Sequence, residues 1–315
     1  MILVEACAFS PGKVILLGEH FVVHGAYALV GAIEQGSTTK SSYSNVDEIV
    51  SEDLNLSWRE GQPVPPQLAP YKKALEAIKK EFGSSKNVRS SIKSGLPLSA
   101  GLGSSSSTSV SFVASVLKLL DVGLEQDKVF EIAMESEKMI HRNPSGVDVF
   151  IGVEGGLHLF RRDGSRKKVE LAGPLKLIVV NTGISRSTSD LISRFSSYRK
   201  LFPAYFDGLV KASSHVAMLG SDYLSRGRYE EFGLLLNYQH AILSFLGVSC
   251  KALDDIVNSS IEYGALGAKL TGAGGGGCAI VLPEQSSAEE CLRRFDGFEA
   301  FLTTLPSRGL RTWTE

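Results

Sequence analysis

The chain has little of what would place it in several large classes of protein. Its four cysteines, Cys7, Cys250, Cys278 and Cys291, are scattered through 315 residues and form no C-x-x-C pair. That spacing argues against a disulfide framework and against structural zinc, and suits a reducing compartment. An excess of one charge is missing too: 33 Lys+Arg against 34 Asp+Glu give a formal net charge of -1. Such a balance offers no reason to expect nucleic acid or an anionic membrane as partner. The opening residues, MILVEACAFS, lack a basic n-region, and Glu5 interrupts their apolar run. They read as a strand rather than a signal peptide. The longest uncharged run is too rich in Gly and Ser to span a bilayer. With 43% hydrophobic and 21% charged residues, a soluble cytoplasmic protein is expected.

What is present is organised around one stretch, SGLPLSAGLGSSSSTSVSFVASVLKL, from Ser94 to Leu119. Gly101 and Gly103 lead into four serines, Ser104 to Ser107. Val110, Val113, Ala114, Leu117 and Leu120 then repeat at helical spacing. The pattern reads as a glycine-rich loop entering a helix. A helix start offers unpaired N–H groups and partial positive charge, and serine hydroxyls bond phosphate or Mg²⁺. No Gly-Lys-Ser/Thr follows, so it is not a Walker A loop. On these residues alone a serine linker or a plain capped helix start stays open.

Along the rest of the chain, Ile2–Phe9 reads as a strand and Ser10-Pro11-Gly12 as a turn. Val14–Phe21 and Ala26–Ile33 resume strand character. Residues 62–70 form a proline-rich loop, Tyr71–Phe82 an amphipathic helix, and Val88–Lys93 a strand. A helix over Glu125–Ile140 carries Glu137 beside its apolar stripe. Residues 143–148, Asn-Pro-Ser-Gly-Val-Asp, then break the pattern and set Asp148 after a turn. A domain change is expected before the buried strand Leu175–Asn181, dividing the chain into 1–173 and 174–315. Beyond it, Tyr205, Leu209, Ala212, Val216, Leu219 and Tyr223 keep helical spacing, and further helices span Tyr229–Leu246 and Cys250–Tyr263. A second glycine-rich loop covers Lys269–Gly277. Mixed strands and helices without strict alternation indicate the α+β class. His24, His141, His158, His215 and His240 are read as core histidines, the default for that residue type.

Three motifs stand in order: residues 11–20 (PGKVILLGEH), 97–106 (PLSAGLGSSS) and 269–277 (KLTGAGGGG). Together they resemble the GHMP kinases. Residues 18–25 (GEHFVVHG), 137–148 (EKMIHRNPSGVD) and Arg186-Ser-Thr188 are similar to stretches of the mevalonate kinase branch of that family. The resemblance implies a GHMP-kinase two-domain fold with the active site in the cleft between domains. It also implies a kinase that moves the ATP γ-phosphate to the 5-hydroxyl of mevalonate with Mg²⁺, working as a homodimer. Carried over residue by residue, ATP would be held by Pro97, Ser99, Ala100, Gly101, Leu102, Gly103, Ser104, Ser105, Ser106 and Ser107. Mg²⁺ would be held by Ser105 and Glu137. Asp148 would be the catalytic base, with Lys13 the cation beside it. Lys13, Glu19, His20, Ser145, Asp148, Thr188, Gly272 and Ala273 would face the alcohol substrate. Val149-Phe150 and the run of four serines depart from the common pattern and bear on the walls of the site. The competing readings are another GHMP kinase, such as one acting on phosphomevalonate, and a catalytically silent ligand sensor. Glu19-His20 speaks against a phosphorylated substrate. The joint presence of Lys13, Ser105, Glu137 and Asp148 speaks against a silent member.

Overall fold

The computed structural model describes residues 5–97, 100–140, 144–184, 195 and 197–315. Its first sheet grows from two long antiparallel strands, β1 (Ala6–Leu17) and β2 (Ala28–Tyr43), joined through a 3-10 turn at Phe21–His24. Side chains alternate between two cores, as the period of a strand requires. Val14, Leu16, Leu29 and Ile33 enter one; Ile15, Ala28, Val30 and Ala32 enter the other.

Residues 10–12 are not the turn expected from Ser-Pro-Gly. They lie inside β1, where the register shifts between Pro11 and Lys13. A bulge of this kind accommodates a proline that cannot donate to the ladder, and it re-aims the residues beyond. The strand expected to reach Phe21 stops at Leu17, because Gly18 turns the chain at φ 97. Glu19 and His20 therefore lie on a turn after the strand.

β5 (Val88–Ser94), β3 (Glu48–Ser51) and β4 (Leu56–Arg59) extend the sheet on one side in the order β1-β2-β5-β3-β4. β6 (Leu157–Phe160) also pairs with β2, and β7 (Arg166–Lys168) with β6. β12 (Arg311–Thr314) brings the end of the chain back onto β1. Helices α1 (Ala69–Phe82), α2 (Ser104–Leu120) and α3 (Gln126–Ile140) cover one face around Ile49, Ile92, Val113 and Leu117. The segment expected to be irregular around Asp148 becomes α4 (Val147–Glu154), a short helix whose apolar residues are almost all buried.

The serines of α2 have a structural use that their number did not suggest. Ser107, Ser111 and Ser115, four residues apart, face Ser37, Thr39 and Ser41, two apart on β2. Four helical residues rise ~6 Å and two strand residues ~6.6 Å, so the rows stay in step. Ser107 Oγ donates to Ser10 O at 2.7 Å and accepts from Ser37 N at 3.0 Å. Thr39 meets Ser111 at 2.9 Å and Ser41 meets Ser115 at 2.8 Å. Small hydroxyl side chains let helix and sheet approach closely while satisfying each other inside the core.

The second sheet is antiparallel in the order β11-β8-β10-β9: β8 (Leu175–Asn181), β9 (Gly267–Leu270), β10 (Cys278–Leu282) and β11 (Glu299–Leu305). Around it lie α5 (Pro203–Ser225), α6 (Tyr229–Phe245), α7 (Lys251–Glu262) and α8 (Ala288–Arg293). Leu177, Val179 and Ile280 join Val14, Leu16 and Leu29 in one core, so the two sheets share apolar contacts. On α5 the buried face is Phe206, Ser213, Val216, Ala217, Gly220 and Leu224. The expected stripe is offset from it: Tyr205 is 58% and Leu219 42% exposed. Small residues carry this contact; a Cβ on Gly220 would stand 2.4 Å from Leu17 Cδ1. Among the described residues no helix is long and apolar enough to cross a membrane.

Candidate active site

The bulge in β1 and the glycine loop before α2 meet at Lys13. Its backbone N–H donates to Leu102 O at 2.8 Å, which fixes the strand against the loop. Its Nζ donates to Gly101 O at 3.1 Å and lies 3.3 Å from Asp148 Oδ1. Asp148 occupies the first turn of α4, where the dipole favours a carboxylate. Gly103 caps α2 at φ 74, and a Cβ there would stand 3.1 Å from Lys13 Cγ and 3.7 Å from Asp148 Oδ2. Its bare Cα leaves the Lys13–Asp148 pair room and allows the left-handed turn.

One residue into α2, Ser105 Oγ donates to Glu137 Oε1 at 3.1 Å. Glu137 is buried on α3 against the start of α2. A hydroxyl and a carboxylate oxygen, side by side at a helix N-terminus, form a hard-donor pair of the kind Mg²⁺ accepts when phosphates supply the rest of its shell. The donor set fits that ion.

The other expected residues separate into groups. Pro97, Gly101, Gly103, Ser104 and Ser105 are partly accessible around the start of α2. Ala100 and Leu102 point into the core shared by both sheets, and Ser106 is fully buried. Ser107, expected at the nucleotide, faces the opposite way: both roles of its hydroxyl are taken by β1 and β2. Ser145 Oγ accepts from Val147 N at 3.4 Å, at the entry to α4. Ser99 and Thr188 lie outside the described residues. Of the histidines assigned to the core, His158 and His240 are buried, His24 is partly buried, and His215 is exposed on α5. Residue 215 follows Ser213, which is buried, so the helix turns it outward. His141 is outside the described residues.

The third motif is stitched to the first at successive points. Thr271 Oγ1 accepts from Ile15 N at 3.2 Å and donates to Ile15 O at 3.1 Å. His20 Nε2 bonds Ala273 O at 3.0 Å, with His20 itself at φ 60, an uncommon conformation for a residue with a side chain. Between these contacts Lys269 Nζ pairs with Glu19 Oε1, both side chains 0% exposed. Burial pushes the Glu19 carboxyl up while the Lys269 charge pulls it back; burial lowers the Lys269 ammonium while Glu19 opposes that shift. β9 is an edge strand, and α6 covers the edge: Asn237 Oδ1 accepts from Ala268 N at 2.9 Å and His240 Nδ1 from Leu270 N at 3.3 Å. With Nδ1 accepting, the His240 Nε2–H donates to Asp254 Oδ1 at 3.1 Å.

Lys269 was not among the expected site residues. The signal available for Lys269 was a single charge in the run Gly-Ala-Lys-Leu directly before a glycine-rich loop.

Comparison with known proteins gives the family of the chain. Residues 70–156 match the GHMP kinases N terminal domain, and residues 221–298 the GHMP kinases C terminal domain. A mevalonate kinase of Aeropyrum pernix is 32% identical over 97% of this chain and 98% of its own. The chain belongs to the GHMP kinases. It is an ATP-dependent small-molecule kinase with the two-domain fold of that family. The mevalonate kinase of Archaeoglobus fulgidus is 34% identical to this GHMP kinase over 87% of this chain and 91% of the other. The crystal structure of L. major mevalonate kinase in complex with R-mevalonate superposes with a TM-score of 0.80 at 29% identity, covering 96% of each chain.

Proposed function

We propose that this GHMP kinase transfers the γ-phosphoryl group of ATP to the 5-hydroxyl of mevalonate. The observation that carries the reading is the Lys13–Asp148 pair, 3.3 Å apart beside the start of α2. Phosphoryl transfer needs a group to take the alcohol proton and positive charge near the moving phosphoryl. Asp148 Oδ2 is the acceptor for that proton. Lys13 keeps the carboxylate oriented through Oδ1 and stabilises charge that develops on the transferring oxygens. The open N–H groups of α2's first turn and its glycine loop bind the phosphates. Ser105 and Glu137 would hold Mg²⁺, which when bound offsets the charge of the nucleotide phosphates. The likeness to mevalonate kinases over nearly the whole chain supports the substrate. His20, bonded to Ala273 O, and Gly272 and Ala273 would face the remainder of mevalonate. Ser145 orients the turn carrying Asp148.

The same reading places the domain division at 173/174, where the chain passes from one sheet to the other, and includes a cytoplasmic setting and a homodimer. A turnover assay with ATP and a panel of alcohols tests the activity. Mevalonate should be the best acceptor by kcat/KM. Preference for a phosphorylated or unrelated alcohol would overturn the substrate, and absence of ATP turnover would overturn the enzyme.

A further inference from the structure

The Glu19–Lys269 pair joins the turn after β1 to β9, so it spans the two sheets at 0% exposure on both sides. Buried ion pairs seldom stabilise a fold beyond what an apolar pair would do, so stability alone is a weak reason for one here. The pair is also incomplete. Lys269 Nζ serves Glu19 Oε1 and Leu270 O, while Glu19 Oε2 is buried with no hydrogen-bond partner among the described residues. A buried acceptor left so is costly, and a donor arriving from outside recovers that cost.

Its surroundings say which donor. Glu19 adjoins His20, whose ring is bonded to Ala273 O, and Lys269 lies two residues before Thr271, which is bonded to Ile15. Lys13 of the Lys13–Asp148 pair is close enough for its charge to act on both Glu19 and Lys269. The orphan oxygen is therefore within reach of the Lys13 charge, in the seam where the first and third motifs meet. A carboxylate there repels the anionic end of a substrate and accepts a hydroxyl. Asp148 already takes the hydroxyl that reacts.

We propose that Lys269 is a positioning residue for the alcohol substrate, holding Glu19 so that its Oε2 accepts a non-reacting hydroxyl. This rests on the functional reading above and assigns Lys269 a task within it. His20, at φ 60 and bonded to Ala273 O, stands next to Glu19 in the chain. Without Lys269 the carboxyl is buried with only Lys13 for countercharge among the described residues; His240 and its partner Asp254 stand behind the lysine. Glu19 then takes up a proton and loses its role as an anionic acceptor.

The test compares wild type, Lys269→Met and the charge-neutral double variant Glu19→Gln/Lys269→Met. In Lys269→Met, the KM for mevalonate should rise ~10-fold or more, because the site's hydrogen bond to the hydroxyl is lost. The KM for ATP should stay within about twofold of wild type, as the phosphate loop is untouched. The acid limb of kcat/KM should move to higher pH, since Glu19 ionises later. An analogue of mevalonate lacking the tertiary hydroxyl should be strongly disfavoured by wild type and much less so by the variant. The double variant should recover most of the single variant's lost thermal midpoint but none of its mevalonate affinity. Recovery of both in the double variant, or wild-type KM values and pH profile in Lys269→Met, would overturn the proposal in favour of a structural pair. If the single variant does not fold, the double variant decides alone. Failure of the functional reading is seen separately: wild type would then prefer another alcohol, and the same variants are measured with that one.

Discussion

Two lysine–carboxylate pairs join residues of the three motifs and their neighbours, and they differ chiefly in access. In Lys13–Asp148 the side chains are 6% and 31% exposed and the nearest approach is 3.3 Å; in Lys269–Glu19 both are 0% exposed. An accessible carboxylate can receive a proton from a substrate and pass it on to water. A sealed one is kept charged chiefly by its partner. The same two residue types thus serve chemistry in one place and hold geometry in the other. The backbone decides which: Asp148 opens a helix, whereas Glu19 lies on the turn after β1 against Lys269, at the start of the second glycine-rich loop.

The comparison is broken most sharply by Asp148→Asn. The amide keeps the shape but cannot take the proton, so kcat should fall ~10²–10⁴-fold with both KM values nearly unchanged. Turnover close to wild type would remove Asp148 from the chemistry. Glu137→Gln comes next. Losing an anionic oxygen beside Ser105 should raise the Mg²⁺ concentration for half-maximal rate by ~10-fold. A change in thermal midpoint alone would mean that Glu137 is a packing residue. His20→Ala removes the bond to Ala273 O. It should raise the KM for mevalonate severalfold and leave that for ATP alone; the reverse pattern would exchange the two substrate sides.

The smallest effect is on stability. Burial holds His24, His158 and His240 below their ordinary value of 6.5. A histidine with a depressed folded pKa contributes stability that is fully present above its unfolded value and is lost as pH falls toward the folded one. The thermal midpoint should therefore be flat from pH 8 to 7 and decline below about 6.5. A midpoint that rises on acidification would show that these rings are not kept neutral by the fold.

Residues fixed by local backbone were legible in the sequence. Gly103 forces the turn into α2 and Gly146 the turn into α4, so Lys13, Ser105, Glu137 and Asp148 come together as their motifs suggest. Residues whose role depends on distant partners were not. Ser107 reads as one of four equivalent serines until Ser10, 97 residues away, takes its hydroxyl. Lys269 reads as the edge of a loop until Glu19, 250 residues away, meets it. The α5 stripe was displaced for a related reason. Hydrophobic periodicity weighs large side chains, and the close contact with Leu17 is made through Gly220. The bulge at Pro11 escaped because Ser-Pro-Gly is turn chemistry unless a long partner strand overrides it.

The division of labour between the two pairs is tested most directly by measuring kcat at saturating substrate and the thermal midpoint together for Lys13→Met and Lys269→Met. Lys13→Met should lose turnover by ~10²-fold or more, as expected when charge stabilisation at a transferring group is removed. Its midpoint should move by only a few degrees, roughly 1 kcal/mol of stability, since Asp148 can be hydrated. Lys269→Met strands a buried carboxylate and should lower the midpoint by roughly 10 °C, the counterpart of ~3–5 kcal/mol, with a much smaller loss of kcat. A Lys13 variant that still turns over at near the wild-type rate, or a Lys269 variant with an unmoved midpoint, would contradict it.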